Sequence, residues 1–167
     1  ILSRIASLTG GIGVIYVGGN TDLEQKELYD RVDDAVCAVR SALLEGIVPG
    51  GGIALLEQSQ RLNKYAFDDN QPKEYRLAAR VLATAMEAPF HQIVTNAGID
   101  SERVMDDILD KSSRGYGFNV KRREYGNMLR QGVIDPCRVT KSALRNAVSV
   151  ATTILSTNAI ITSARTY

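Results

Sequence analysis

The sequence predicts a mainly helical fold with minor β elements, and three observations carry that expectation. Apolar residues recur at spacings of three and four over most of the chain, as helices with one buried face require. Glycine clusters and Asp, Asn and Pro turns cut the pattern into segments of helical length. Runs rich in β-branched and aromatic residues are few and short. With 167 residues, 44% apolar and 23% charged, the composition is that of a globular chain. Its length suits one domain, or a small domain plus a piece of another.

The elements follow in order. Ile1 to Leu8 reads as the tail of an amphipathic helix, broken by Gly10-Gly11. Because the chain opens on Ile1 rather than methionine, an excerpt of a longer polypeptide is expected. Ile12-Gly13-Val14-Ile15-Tyr16-Val17 reads as a strand closed by Gly18-Gly19-Asn20. Thr21 followed by Glu24 has the form of a capping box, so a helix should start there. Leu28, Val32, Val36, Val39 and Leu43 hold helical spacing up to Glu45, and Gly46 suits the stop. The charges at Glu24, Lys26, Glu27, Asp30, Arg31 and Asp33 make its solvated face. After Gly50-Gly51-Gly52 a second helix runs from Ile53 to Leu62, and Lys64 to Pro72 is a surface loop. Glu74 to Ala97 is a long helix that Pro89 should bend or break, and Gly98 ends it. Ser101 to Leu109 is another helix, and Lys111 to Gly115 is a turn. Tyr116 to Val120 and Tyr125 to Met128 are two short extended pieces around a charged turn. Asp135-Pro136 reads as a helix start, with Asp at the cap and Pro at the first helical position. The helix from Val139 to Asn158 is apolar on most sides, which implies burial in a core or an interface. Ile160 to Thr162 is a candidate closing strand.

Composition also excludes several functions. Twenty basic residues against 19 acidic ones leave a net charge of +1, too little for nucleic-acid binding through bulk positive charge. Arg122-Arg123 is a short cluster beside Glu124 and does not revive that reading. No apolar run approaches the roughly 20 residues that span a bilayer. Cys37 and Cys137 stand far apart without zinc-ligand spacing, so neither a disulfide scaffold nor a metal site is expected, and the compartment should be reducing. One histidine, His91, has no serine or acid in a recognisable arrangement, so a structural role is expected for it. Gly50-Gly51-Gly52 opening a helix suits close backbone approach to an anion or nucleotide. The complete phosphate-loop and dinucleotide signatures are absent, and a hinge or packing contact is the commoner use. Asp34 lies at the border of the apolar stripe, where a carboxylate facing a cleft would be a candidate base for water.

The segments Ala6-Ser7-Leu8-Thr9-Gly10-Gly11-Ile12-Gly13-Val14-Ile15, Arg31-Val32-Asp33-Asp34-Ala35, Glu45-Gly46-Ile47-Val48-Pro49-Gly50-Gly51-Gly52-Ile53-Ala54-Leu55, Glu124-Tyr125-Gly126-Asn127-Met128 and Gly132-Val133-Ile134-Asp135-Pro136 come in this order. Together they resemble the C-terminal part of GroEL-type group I chaperonins, the sixty-kilodalton heat-shock family. The likeness runs from Arg4 to about Thr162. It implies the end of an apical domain over 1–11, an α+β intermediate-domain segment over 12–44, and the multihelical C-terminal half of an equatorial ATP-binding domain over 45–167. It further implies an ATP-dependent chaperone that encloses and refolds unfolded client proteins. Stacked rings of identical subunits, a lid co-chaperonin, no nucleic acid and no membrane belong to that picture. The implied compartment is a bacterial-type cytoplasm, with an organelle matrix as the other candidate.

The resemblance also assigns roles. Asp34 matches the aspartate that activates or positions the attacking water. Gly50 and Gly51 match glycines lining the nucleoside side of the pocket, Phe118 and Asn119 a tyrosine-asparagine pair at the adenine, and Val133 and Asp135 the contacts to base and ribose. Asp135 thus carries two readings, helix cap and ribose acceptor. Phe118 lacks the family hydroxyl, Val120 stands where alanine is usual, and Pro49 stiffens the approach to the glycines. The phosphate loop and the aspartate holding Mg2+ belong to a family segment absent from this sequence, so the chain alone should lack ATPase and folding activity. The alternative is a non-enzymatic helical module for interaction or oligomerisation on a chaperonin scaffold.

Overall fold

A computed structural model describes residues 2–10, 13–111, 113–159 and 161–162. The chain divides into two compact units, Ile1–Val39 and Arg40–Tyr167.

The first unit holds helix α1 (Leu2–Thr9) and most of helix α2 (Asp22–Glu45). The capping box at Thr21 is present: the Glu24 N–H donates to Thr21 Oγ1 at 3.2 Å. Glu24 Oε2 reaches one residue further back than expected and accepts the Asn20 N–H at 2.9 Å. The strand expected over 12–17 is not formed at 13–17, and Ile12 lies outside the described residues. Strand propensity is realised only against a neighbouring ladder, and this segment serves the helix start instead. Val17 O accepts the Gln25 side-chain amide at 3.0 Å. A Cβ on Gly19 would sit 2.6 Å from the Gln25 nitrogen, so glycine lets the chain fold back there.

The second unit contains strand β1 (Ile47–Pro49), helices α3 (Ile53–Ala66), α4 (Lys73–Asn96) and α5 (Ser101–Lys111), strands β2 (Tyr116–Asn119), β3 (Glu124–Asn127) and β4 (Ile134–Pro136), and helix α6 (Cys137–Leu155). β1 and β4 pair antiparallel, with Val48 opposite Asp135, and β2 and β3 form an antiparallel hairpin. The core lies where α3, α4, α5 and the hairpin meet: Ile53, Leu56, Phe90, Val94, Val104, Ile108, Phe118 and Met128. A polar seam joins α3 to α4, where the buried Ser59 hydroxyl meets Glu87 Oε1 at 2.9 Å. The mainly helical class expected from periodicity is therefore the class observed.

Pro89 does not break α4, which runs through it. Its missing N–H costs one helical bond, and burial of Met86 and Phe90 on either side holds the turn. The helix start at Asp135-Pro136 is displaced. Pro136 is the N-cap of α6, and Asp135 sits one residue earlier, held in the β1–β4 ladder. Asp135 therefore does not cap. No residue of α6 is buried, so the expectation of a helix enclosed in a core fails within this chain. Periodicity reports that a face wants a partner, not that the same chain supplies it. Only the start of α6 is tied in, by the Lys141 ammonium donating to Glu45 Oε2 at 2.6 Å. Of the expected closing strand, Ile161 and Thr162 carry no strand and Ile160 lies outside the described residues.

Val139, Val150 and Ile154 on one side of α6, and Val148 and Leu155 on the other, leave it with exposed apolar side chains. Monomers seldom tolerate such patches beyond a few hundred Å2. The isolated chain is expected to self-associate, and light scattering showing a monodisperse 18.2 kDa species with a cooperative melt would refute this.

Candidate functional site

The turn from β1 into α3 is built on glycines because of what lies against it. The Gly50 N–H donates to Val133 O at 3.0 Å, and the Val133 N–H donates to Met128 O at 2.9 Å. A Cβ on Gly50 would stand 3.1 Å from the Ile134 nitrogen. Gly51 and Gly52 have φ of +67° and +78°, which L side chains adopt at a cost. Gly52 is the N-cap of α3 and offers no side-chain acceptor. The first turn of such a helix leaves backbone N–H groups without intrahelical acceptors, an arrangement that favours negative charge.

The same turn brings four of the expected site residues together. Gly50, Gly51 and Val133 are in direct contact, since a Cβ on Gly51 would lie 3.9 Å from Val133 Cγ1. Asp135 follows two residues on, opposite Val48. Its side chain accepts no hydrogen bond among the described residues. Although the residue is exposed, the chain packed around its carboxyl partly desolvates it, and this pushes its pKa above the usual carboxylate value.

Phe118 and Asn119 lie on the neighbouring hairpin. Met128 joins the two parts: its Cε would touch a Gly51 Cβ at 3.1 Å, and its Cγ a Gly117 Cβ at 2.8 Å. Phe118 is only 8% exposed and packs on Tyr125 with ring centroids 4.9 Å apart, so it is a member of the core. Asn119 is also buried, and its Oδ1 accepts the backbone N–H groups of Lys121 and Arg122 at 3.1 and 3.2 Å. Asp34 belongs to the first unit and stands exposed on α2. A groove of about 370 Å3 between α3 and α5, lined by Ile53, Leu56, Glu57, Arg61, Ile108 and Arg114 among others, includes none of these residues.

Two polar arrangements were not legible in the sequence. His91 Nδ1 lies 2.9 Å from Ser101 Oγ and 3.9 Å from Glu102 Oε1. A serine nucleophile and its orienting acid need opposite ring nitrogens, and here both face the same one, so the contact fastens α4 to α5. The signal was present only as a polar start to α5, where Asp100 Oδ1 accepts the Glu102 N–H at 3.1 Å. The Tyr125 hydroxyl donates to Asp107 Oδ2 at 2.7 Å. Desolvation, reinforced by that carboxylate, pushes the Tyr125 pKa up to about 12. The neutral phenol is the form that folding favours. The contribution is therefore complete below the ordinary tyrosine pKa of about 10 and is lost as pH rises towards about 12. Alkaline absorbance titration should show a tyrosine ionising near pH 12 in the folded chain and not in Tyr125→Phe; a titration unchanged by that substitution would contradict it.

The chain matches the model of the TCP-1/cpn60 chaperonin family over residues 4–165. It belongs to that family, and its role is that of a chaperonin. Among the described residues, no helix is long and apolar enough to cross a membrane.

Proposed function

We propose that this chain is the C-terminal part of a GroEL-type, ATP-dependent chaperonin, with 1–11 closing the apical domain, 12–44 an intermediate-domain segment and 45–167 half of the equatorial domain. The observation that supports it best is the meeting of Gly50, Gly51, Val133 and Asp135 beside the N-terminus of α3. An apolar side chain, a carboxylate with no internal partner and free backbone N–H groups fit a nucleoside. Val133 would pack on the base, Asp135 would accept from ribose hydroxyls, and the glycine turn would let backbone approach closely. By the family likeness Phe118 and Asn119 would meet the adenine, Phe118 from the core against which Val133 packs. Asp34 would take the proton of the attacking water, or fix its orientation. Bound ATP supplies the phosphoanhydride whose hydrolysis times the folding cycle. Mg2+ and the phosphates are assigned to groups outside this sequence. Ring assembly from identical subunits, a lid co-chaperonin, unfolded clients and a cytoplasmic or organelle-matrix setting complete the reading.

A second reading, a non-enzymatic scaffold module, draws on a specific observation: Gly50, Gly52 and the Asn119 oxygen each serve the fold without any ligand. One titration separates the two. Without phosphate and metal contacts the isolated chain is expected to bind ATP no better than about millimolar, worth about 4 kcal/mol. ATP and adenosine should both shift the amide signals of Gly50, Gly51, Val133 and Asp135. Signals that stay fixed at saturating ATP favour the scaffold, and micromolar affinity would contradict the assignment of phosphate binding to other groups.

A further inference from the structure

The groove between α3 and α5, about 370 Å3 in volume, has the size of a ligand site and takes no part in the nucleotide reading. Its α3 wall is a single helix face: Ile53, Leu56, Glu57, Gln60, Arg61 and Lys64 recur at spacings of three and four. The first two give that face an apolar end, closed by Ile108 and Tyr116. The other end carries cations without anions. Arg61, Lys64 and, from the turn before β2, Arg114 are exposed, and none forms an ion pair among the described residues. Arg61 makes only a 3.5 Å contact with the Gln58 amide oxygen. Glu57, the carboxylate lining the groove, is already committed, since it accepts the Gly115 N–H. From Ile53 to Lys64 the helix rises about 16 Å at 1.5 Å per residue, which is the reach of about five residues of extended chain.

We propose that this groove docks an acidic segment of a partner polypeptide, laid along α3 with an apolar residue against Ile108 and Tyr116 and carboxylates at Arg61, Lys64 and Arg114. Charge complementarity selects this occupant: three cations stand around a groove whose own acid is engaged. A guanidinium takes a carboxylate through two parallel N–H donors, and arginine and lysine stems lie along apolar surface while their heads reach outward. Length separates a chain segment from a small anion, which would fill the charged end and leave the apolar end empty. Exposed ion pairs contribute little singly and are screened by salt, so the docking is reversible and salt-sensitive.

The test uses a complete chaperonin subunit carrying this sequence and two labelled probes, Leu-Ser-Glu-Glu-Glu and the same residues in reverse order, followed by fluorescence anisotropy. One of the two orders is expected to bind. Its affinity should fall about tenfold when Arg61→Glu and Lys64→Glu are combined, and several-fold with Arg114→Glu, which lies outside the helix and leaves α3 untouched. The combined variant should instead prefer the probe with lysine in place of glutamate. Exchanging the probe's leucine for serine should weaken binding to the unaltered subunit about tenfold. Failure of both orders to bind would overturn the proposal, as would equal binding by the unaltered subunit and the charge-reversed variants. Equal binding of the leucine and serine probes would overturn the apolar anchor and with it the docking of a segment. Displacement of the probe by free glutamate at the probe's own concentration would overturn it too, because it would show a site for a small anion.

Discussion

Asp34→Ala, in a complete chaperonin subunit, is expected to slow ATP hydrolysis by roughly 100-fold or more while leaving ATP binding nearly intact. The size follows from what a positioned carboxylate does: it holds the attacking water in line and receives its proton as the bond to phosphorus forms. Neither contribution exists before the transition state, so the loss should fall on turnover rather than on affinity. Stability should scarcely change. Asp34 is exposed on α2, and surface substitutions outside capping or strained positions usually stay within about 0.5 kcal/mol. A thermal melt would confirm that the fold survives, and steady-state turnover within a few-fold of the unaltered subunit would sink the assignment. A comparable loss in ATP affinity would also count against it, because it would mean that Asp34 holds the nucleotide rather than the water.

The helices were legible because their signals are local. Thr21 and Glu24 announced the start of α2, and the Leu28-Val32-Val36-Val39-Leu43 spacing announced its length. The hairpin was legible too, from two extended runs around a charged turn. What failed depended on partners distant in sequence. Val14, Ile15 and Val17 have strand propensity but no ladder among the described residues. Asp135-Pro136 carries the letters of a helix cap, yet pairing with Val48 takes it into a strand. Residues at the candidate site divide in the same way. The glycine triplet was visible as a break before a helix, but its physical cause was not. Whether a glycine makes room for a ligand or for its own protein depends on which chain lies opposite, and Ile134 and Phe90 lie 84 and 38 residues away, respectively, from the glycines they face. Asn119 could be singled out only by family likeness, since an Asn in a turn is commonplace and its oxygen's double use is a matter of geometry.

The triplet also gives the sharpest test of the fold. Gly52→Ala is expected to destabilise the second unit by about 3 kcal/mol or more. The left-handed backbone, φ +78°, costs an L residue about 1–2 kcal/mol by itself. The rest comes from position: the new Cβ would stand 2.8 Å from the nitrogen and Cα of Phe90, and these are backbone atoms in mid-helix that cannot turn aside. Relief requires α4 to move away from α3, which would loosen Phe90, 1% exposed at the centre of the core. Gly51 and Gly46 provide the controls. Gly51, φ +67°, faces the flexible Met128 Cε at 3.1 Å and Val133 Cγ1 at an ordinary contact distance of 3.9 Å, and Gly46, φ +81°, faces open space. Each should therefore lose little beyond the backbone term, about 1–2 kcal/mol. Urea unfolding, at dilutions where scattering shows monomers, should give midpoints for both controls well above that of Gly52→Ala. With a urea slope of about 1–3 kcal/mol per molar, the extra loss should move the midpoint by roughly half a molar or more. Equal midpoints for Gly51→Ala and Gly52→Ala would show that α3 and α4 do not press together at this turn.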